Sequence, residues 1–357
     1  FPNREKSVNK IMDKQHISET YRGALARFNG ANGEPTPQDF AEAVTDLRKI
    51  ADVFPGAKAK LAVFTQLGAG TAQDNVTASD LFLSATESGL PPLARELATL
   101  ILMARTDEGT YDGLAGALLK QAAVAGDWIA AFLITREASR GRYFLGKSNL
   151  LRLAQNLSKE VPFVKDIQQS MQALPEAITP IPDMPYAHDL CASIISVDPI
   201  KPKPESQVLH QSTPSIKAYP SVISPLACDY LIASSLALLQ PSKVVDADLS
   251  TATAQGYRTS DGAVFLPHTL DRPLIKIVSK ISVAAGVSPQ NGEFLSLLRY
   301  RPGQEYHPHH DYLQEDDADY SKVKACGQRR ATVLTYLNEN YTGGETHFPD
   351  LDIRFKG

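Results

Sequence analysis

Ten of the 24 prolines fall between Pro175 and Pro225, including Lys201-Pro-Lys-Pro204, and this cluster divides the chain into two stretches of different texture. Proline removes a backbone donor and fixes φ, so such a stretch reads as a linker or an irregular wrap. Before it, from about residue 38 to 160, Ala and Leu recur at helical spacing. After it come two helical patterns and then strand-like runs. Ser224 followed by Pro225 opens the first helix with a cap and a first-turn proline, and Arg272–Ala285 reads as the second. Glu293–Tyr300, Arg330–Leu337 and a segment beginning near Gly344 read as strands. The expected class is α+β: an all-α domain over 1–170, a linker over 171–214, and a domain of helices and antiparallel strands over 215–357.

The helical half carries an internal repeat. Ala85-Thr-Glu-Ser-Gly89 with Ala94 returns as Ala122-Ala-Val-Ala-Gly126 with Ala131, a period of 37, and a degenerate copy centres on Ala51 and Gly56. Paired short helices with small residues at their crossings are the signature of a solenoid. The spacing resembles Sel1-like or tetratricopeptide repeats.

A net charge of −4 gives no basic footprint for nucleic acid and no pull toward anionic membranes. No apolar run approaches the ~20 residues that span a bilayer. Three widely spaced cysteines, Cys191, Cys228 and Cys326, describe neither a disulfide framework nor a zinc finger and fit reduced thiols in a cytoplasmic protein. The chain opens on Phe1 and closes on Asp352–Gly357, which reads as the start of a strand or turn; both ends are expected to be cut.

The chemistry concentrates in His307-Pro-His-His-Asp311, where three of the eight histidines and a carboxylate follow a Pro-Gly turn. In an extended strand His309 and Asp311 point to one face. An imidazole and a carboxylate can then meet one metal ion and leave its far side open, an arrangement that suits ferrous iron better than structural zinc. His310 is expected to pack on the opposite face, and His307 to lie beside the pair. The acidic run Glu315–Asp319 lacks the glycine hinge and distal Glu of a calcium loop and reads as a solvated loop.

Tyr300-Arg-Pro-Gly303, Tyr306-x-x-His309-x-Asp311, Arg330-Ala-Thr332, Tyr336-Leu-Asn338 and Gly343-Gly-Glu-Thr-x-Phe-Pro349 follow in an order that resembles prolyl 4-hydroxylase-like oxygenases. Arg258-Thr-Ser260 is similar to that family's entry segment, and the resemblance covers roughly 215–357. It implies a double-stranded β-helix (jelly-roll) core and an iron(II)- and 2-oxoglutarate-dependent hydroxylase releasing succinate and CO2, with ascorbate as reductant. It places His309 and Asp311 as iron ligands, and Tyr336 and Tyr300 at the 2-oxoglutarate pocket. The family's second ligand His lies several tens of residues after the Asp, with a basic 2-oxoglutarate anchor about ten residues later. Only 46 residues follow Asp311 (357 − 311), and His347 stands where relatives have no ligand. Both groups are expected beyond Gly357, so the chain supplies two of three ligands.

The implied substrate is a prolyl residue in a peptide or protein, with the helical repeats offering a surface to a protein partner. A hydroxylase of a free amino acid or small molecule, and an inactive helical-repeat interaction protein, are the alternatives.

Overall fold

The structure is a computed structural model that describes residues 13–29, 35–104, 109–160, 165–196, 204–242, 258–315, 323 and 327–357. Helices fill the first half: α1 (Lys14–Phe28), α2 (Pro37–Ile50), α3 (Pro55–Leu67), α4 (Asn75–Thr86), α5 (Pro91–Met103), α6 (Asp112–Val124), α7 (Trp128–Ser139), α8 (Lys147–Glu160) and α9 (Lys165–Gln172). Their starts are set locally. Asp13 and Asp74 cap α1 and α4, Thr36 and Asp39 form a capping box on α2, and prolines occupy the first turns of α2, α3 and α5.

The repeat appears as helix pairs. α3, α5 and α7 begin at 55, 91 and 128, spacings of 36 and 37; α4, α6 and α8 begin at 75, 112 and 147, spacings of 37 and 35. Gly89 and Gly126 turn the chain after α4 and α6 at φ 71° and 95°, a region closed to most side chains. Ala85, Ala122, Ala94 and Ala131 are all buried, as small residues at crossings should be. In the degenerate copy Ala51 is buried after α2, but Gly56 sits within α3 and makes no such turn.

Packing partitions the chain otherwise than composition does. One compact unit comprises 1–127, 183–198 and 266–272; the other comprises 128–182, 199–265 and 273–357. In the first, Phe28 stacks on Phe64 at 3.5 Å and on Phe40 at 5.2 Å, tying α1 to α2 and α3. Helix α10 (His188–Ser196), carrying the buried Cys191, packs on α4 and α5. The segment 266–272 is threaded into this unit: Lys60 Nζ donates to the Leu270 carbonyl at 2.7 Å. Arg272, only 4 % exposed, donates to the Ala78 carbonyl at 3.0 Å and to Ser79 Oγ at 3.1 Å.

In the second unit, α7–α9 pack together and α11 (Pro225–Ser235) lies on α7. Asp229 of α11, almost fully buried, accepts from Arg136 Nε on α7 at 2.9 Å and from Arg140, which follows the helix directly. Arg140 and Arg142 also pair with the buried Glu137. Three small antiparallel sheets follow: β1 (Gln207–His210) with β2 (Ile216–Ala218), β3 (Gln240–Pro241) with β4 (Asp261–Val264) and β5 (Ser296–Arg299), and β6 (Thr346–Phe348) with β7 (Ile353–Phe355). Helix α12 (Arg272–Ala285) has the bounds expected from the sequence.

The described strands form sheets of two, three and two strands, and a closed jelly-roll arrangement is not shown among the described residues. Arg330–Leu337 is not a strand: it joins no described ladder, and Val333 and Leu334 stay 48 % and 58 % exposed. A strand is defined by its partner, and apolar alternation alone does not provide one. Within the stretch 171–214 lie α10 and β1. Lys201–Lys203, residues 316–319 of the acidic run and Cys326 lie outside the described residues. No helix of the described residues is long and apolar enough to cross a membrane.

Candidate active site

The loop bearing His309 and Asp311 is anchored at both ends. Upstream, β5 lies against β4 with Arg299 opposite Asp261. The Asp261 carboxylate accepts from Arg299 at 2.7 Å and Arg301 at 3.0 Å. The Arg299 hydrogen bond, supported by Arg301, holds the Asp261 carboxyl below its ordinary pKa. The chain then turns at Gly303 (φ 81°), closed by Gln304 N–H to the Arg301 carbonyl at 2.9 Å. Glu305 and Thr259 exchange hydrogen bonds at 3.0 and 3.2 Å, and Arg258 bridges Tyr306. The Arg258-Thr-Ser260 segment is thus the backbone partner that delivers the loop.

Downstream, the Gln328 side-chain amide brackets Leu313, accepting from its N–H at 2.9 Å and donating to its carbonyl at 2.8 Å. Arg329 donates to the Asp311 carbonyl at 2.9 Å and pairs with Glu293 at 2.9 Å.

Between these anchors 307–311 is irregular rather than strand. The expected strand is absent, yet the side chains still converge: His309 Nε2 lies 3.3 Å from Asp311 Oδ1, with the two side chains 31 % and 51 % exposed. His309 Nδ1 is 2.8 Å from the His307 carbonyl oxygen. A carbonyl only accepts, so Nδ1 carries a proton; in the neutral ring that tautomer leaves the lone pair on Nε2, the nitrogen that faces the carboxylate. Two lone-pair donors facing each other at this distance fit adjacent positions around one cation, whose bonds of ~2.1 Å place neighbouring ligand atoms ~3 Å apart. The donor set, one imidazole and one carboxylate, fits ferrous iron. No group of three or more His, Cys, Asp or Glu side chains able to hold a metal is present among the described residues.

The neighbouring histidines take other partners. His310 stacks on Tyr312 at 4.9 Å, and His307 Nε2 lies 3.4 Å from Glu305. His347 is exposed on β6, opposite Arg354. Tyr300 follows β5 with 44 % of its surface exposed. The Tyr336 hydroxyl lies 2.7 Å from Thr346 Oγ1, accepts from Thr346 N–H at 3.1 Å and donates to the Phe355 carbonyl at 3.1 Å, so it is engaged by the β6–β7 hairpin. Gln328, Arg329 and Glu293 were not singled out from the sequence, because hydrogen bonds between distant segments leave no periodic trace in it.

Residues 295–356 match the family model of the 2OG-Fe(II) oxygenase superfamily. The match covers β5, the His309–Asp311 loop and the β6–β7 hairpin. Among characterised sequences the chain is similar to prolyl 4-hydroxylase 1 of Arabidopsis thaliana, 39 % identical over 166 residues, 46 % of this chain and 55 % of the relative. It is also similar to prolyl 4-hydroxylase 2 of the same plant, 37 % identical over 151 residues, 42 % of this chain and 48 % of the relative. The chain spans about half the length of the curated relatives it matches. Among solved structures it is similar to a Sel1 repeat protein from Oxalobacter formigenes, with 19 % identity, a TM-score of 0.37, and coverage of 48 % of this chain and 70 % of that one.

Proposed function

We propose that this chain carries the iron-binding part of an iron(II)- and 2-oxoglutarate-dependent dioxygenase that hydroxylates a prolyl residue of a peptide or protein. The observation that carries the proposal is the convergence of His309 Nε2 and Asp311 Oδ1 at 3.3 Å, inside the segment that matches the oxygenase family. The prolyl substrate follows from the names of the relatives. Ascorbate as reductant, the jelly-roll closure and the 2-oxoglutarate roles of Tyr300 and Tyr336 belong to the same proposal.

His309 and Asp311 would hold the iron, which supplies the activation of O2 that side chains cannot provide. The rest falls to the protein. The His307 carbonyl keeps the His309 proton on Nδ1, and the Asp311 carboxylate contributes negative charge beside Nε2. Arg329, held by Glu293, fixes the backbone of Asp311 through its carbonyl. The open flank of the pair leaves room for a substrate.

In the complete protein, turnover is read as succinate released from 2-oxoglutarate with proline-rich peptides and with free proline. Peptide-dependent release, lost in His309→Ala and Asp311→Ala, is expected. Release with free proline alone would favour a small-molecule hydroxylase, and no release with intact metal binding would favour an interaction protein. Activity persisting in both variants would overturn the ligand assignment.

A further inference from the structure

The His309 ring is held in two directions by groups outside the metal-binding pair. In its own plane, Nδ1 meets the His307 carbonyl at 2.8 Å. Out of plane, the Tyr306 ring lies nearly parallel to it, centroids 3.7 Å apart and planes inclined by 22°. With one face of Tyr306 filled at that distance, the Arg258 guanidinium, 4.7 Å from the Tyr306 centroid, has the other face to lie over. Arg258 is itself fixed: its backbone bridges Tyr306, and its Nε donates to Ser260 Oγ at 3.2 Å. Ser260 is buried and tied to Ser242 through its carbonyl at 2.9 Å and its hydroxyl at 3.0 Å. The chain of contacts therefore runs from a buried serine through a guanidinium and a phenol ring to an imidazole on an exposed loop.

We propose that Tyr306 and Arg258 are positioning residues that hold the His309 imidazole with Nε2 aimed at the metal. The proposal rests on the iron-site reading above. An exposed imidazole on an irregular loop rotates about its Cβ–Cγ bond, and a metal must arrest that rotation when it binds. A flat ring against one face, with a cation favouring the far face of that ring, arrests it beforehand. Electrostatics between guanidinium and phenol ring keep the stack together even though the site is open to water. The hydrogen bond alone would leave the ring free to tilt about the Nδ1–O direction; the stack removes that freedom. The stack needs the face of the Tyr306 ring rather than its hydroxyl.

Titration of the full chain with Co(II) alone, followed by its visible absorption and checked with Mn(II), tests this without turnover. His309→Ala is expected to abolish the absorption change; if it leaves the affinity unchanged, the iron-site reading itself fails. Given that control, Tyr306→Leu is expected to weaken Co(II) binding about 10-fold and to alter the spectrum, as loss of a ligand-orienting partner does. Tyr306→Phe, which keeps the ring face, is expected to stay within about 2-fold of the parent, and Arg258→Met to fall between. Melting temperature and far-UV circular dichroism distinguish a misfolded Tyr306→Leu, in which case the Phe and Arg258 variants decide. Parent-like affinity and spectrum in Tyr306→Leu or in Arg258→Met would overturn the positioning role, as would a Phe variant as weak as Tyr306→Leu.

Discussion

Glu96 on α5 is buried among charged groups. Burial, reinforced by Asp271, pushes its carboxyl up to about 8 against the pull of Arg95, Lys60 and Arg272. Lys60 faces the opposite pressure, its pKa lowered by burial and restored in part by Glu96 and Asp271. The folded pKa of Glu96 exceeds its unfolded value of 4.5, so folding takes up a proton. The associated stability is present below the unfolded value and is lost as pH rises toward 8. Glu96→Gln keeps the shape and removes the titration. Its melting temperature is expected to match the parent near pH 5 and to exceed it increasingly toward pH 8. Parallel curves across that range would show that Glu96 stays ionised in the fold. Neither the cluster nor its pH dependence was readable from the sequence, where Glu96 looks like one charge on an apolar helix. Its burial depends on what α3 and residues 266–272 place against it.

Between elements, the clearest joint is α7 with α11. Asp229 is 4 % exposed and holds two arginines that are 39 % and 30 % exposed. Removing the carboxylate leaves those guanidiniums without their shared anion, and Asp229→Ala is expected to destabilise the second unit by roughly 3 kcal/mol, at the lower end for a buried pair because the arginines reach water. Urea denaturation monitored by circular dichroism measures it; a change within ~0.5 kcal/mol would show the network to be incidental. Elements of this kind were legible where local chemistry decides them. The proline and Ser224 at α11, the bounds of α12 and the glycine turns of the repeat all follow from nearest neighbours in sequence. Arg330–Leu337 was misread because strand identity depends on a distant partner. Its amides are expected to exchange with solvent far faster than those of α5, with hydrogen exchange by mass spectrometry as the readout. Protection equal to that of α5 would mean that this segment is laddered in solution.

The candidate site shows the same division at the scale of the whole molecule. The closeness of His309 and Asp311 was legible because their spacing and residue types suggest a pair on one side of the chain, and the proposed metal site is built on that pair. The anchors that present them were not, since Arg258, Glu293, Gln328 and Arg329 come from segments up to 71 residues apart in the chain (329 − 258) and meet only in the fold. The proline-dense stretch announced a change of texture correctly but not the path of the chain, which lays α10 into the first unit before continuing into the second.

The thread formed by residues 266–272 has a consequence for biosynthesis. The first unit begins at the amino-terminal end yet needs Leu270 for Lys60 and Arg272 for Ala78 and Ser79. As the chain leaves the ribosome, helices α1–α6 emerge long before the piece that satisfies their buried cation. Until about residue 272 has cleared the exit tunnel, Lys60 has no carbonyl to donate to and the carbonyl of Ala78 lacks its guanidinium. The nascent helices must wait in an incomplete state while the 194 residues from Ala78 to Arg272 (272 − 78) are added, during which chaperones have access to surfaces that the folded unit conceals.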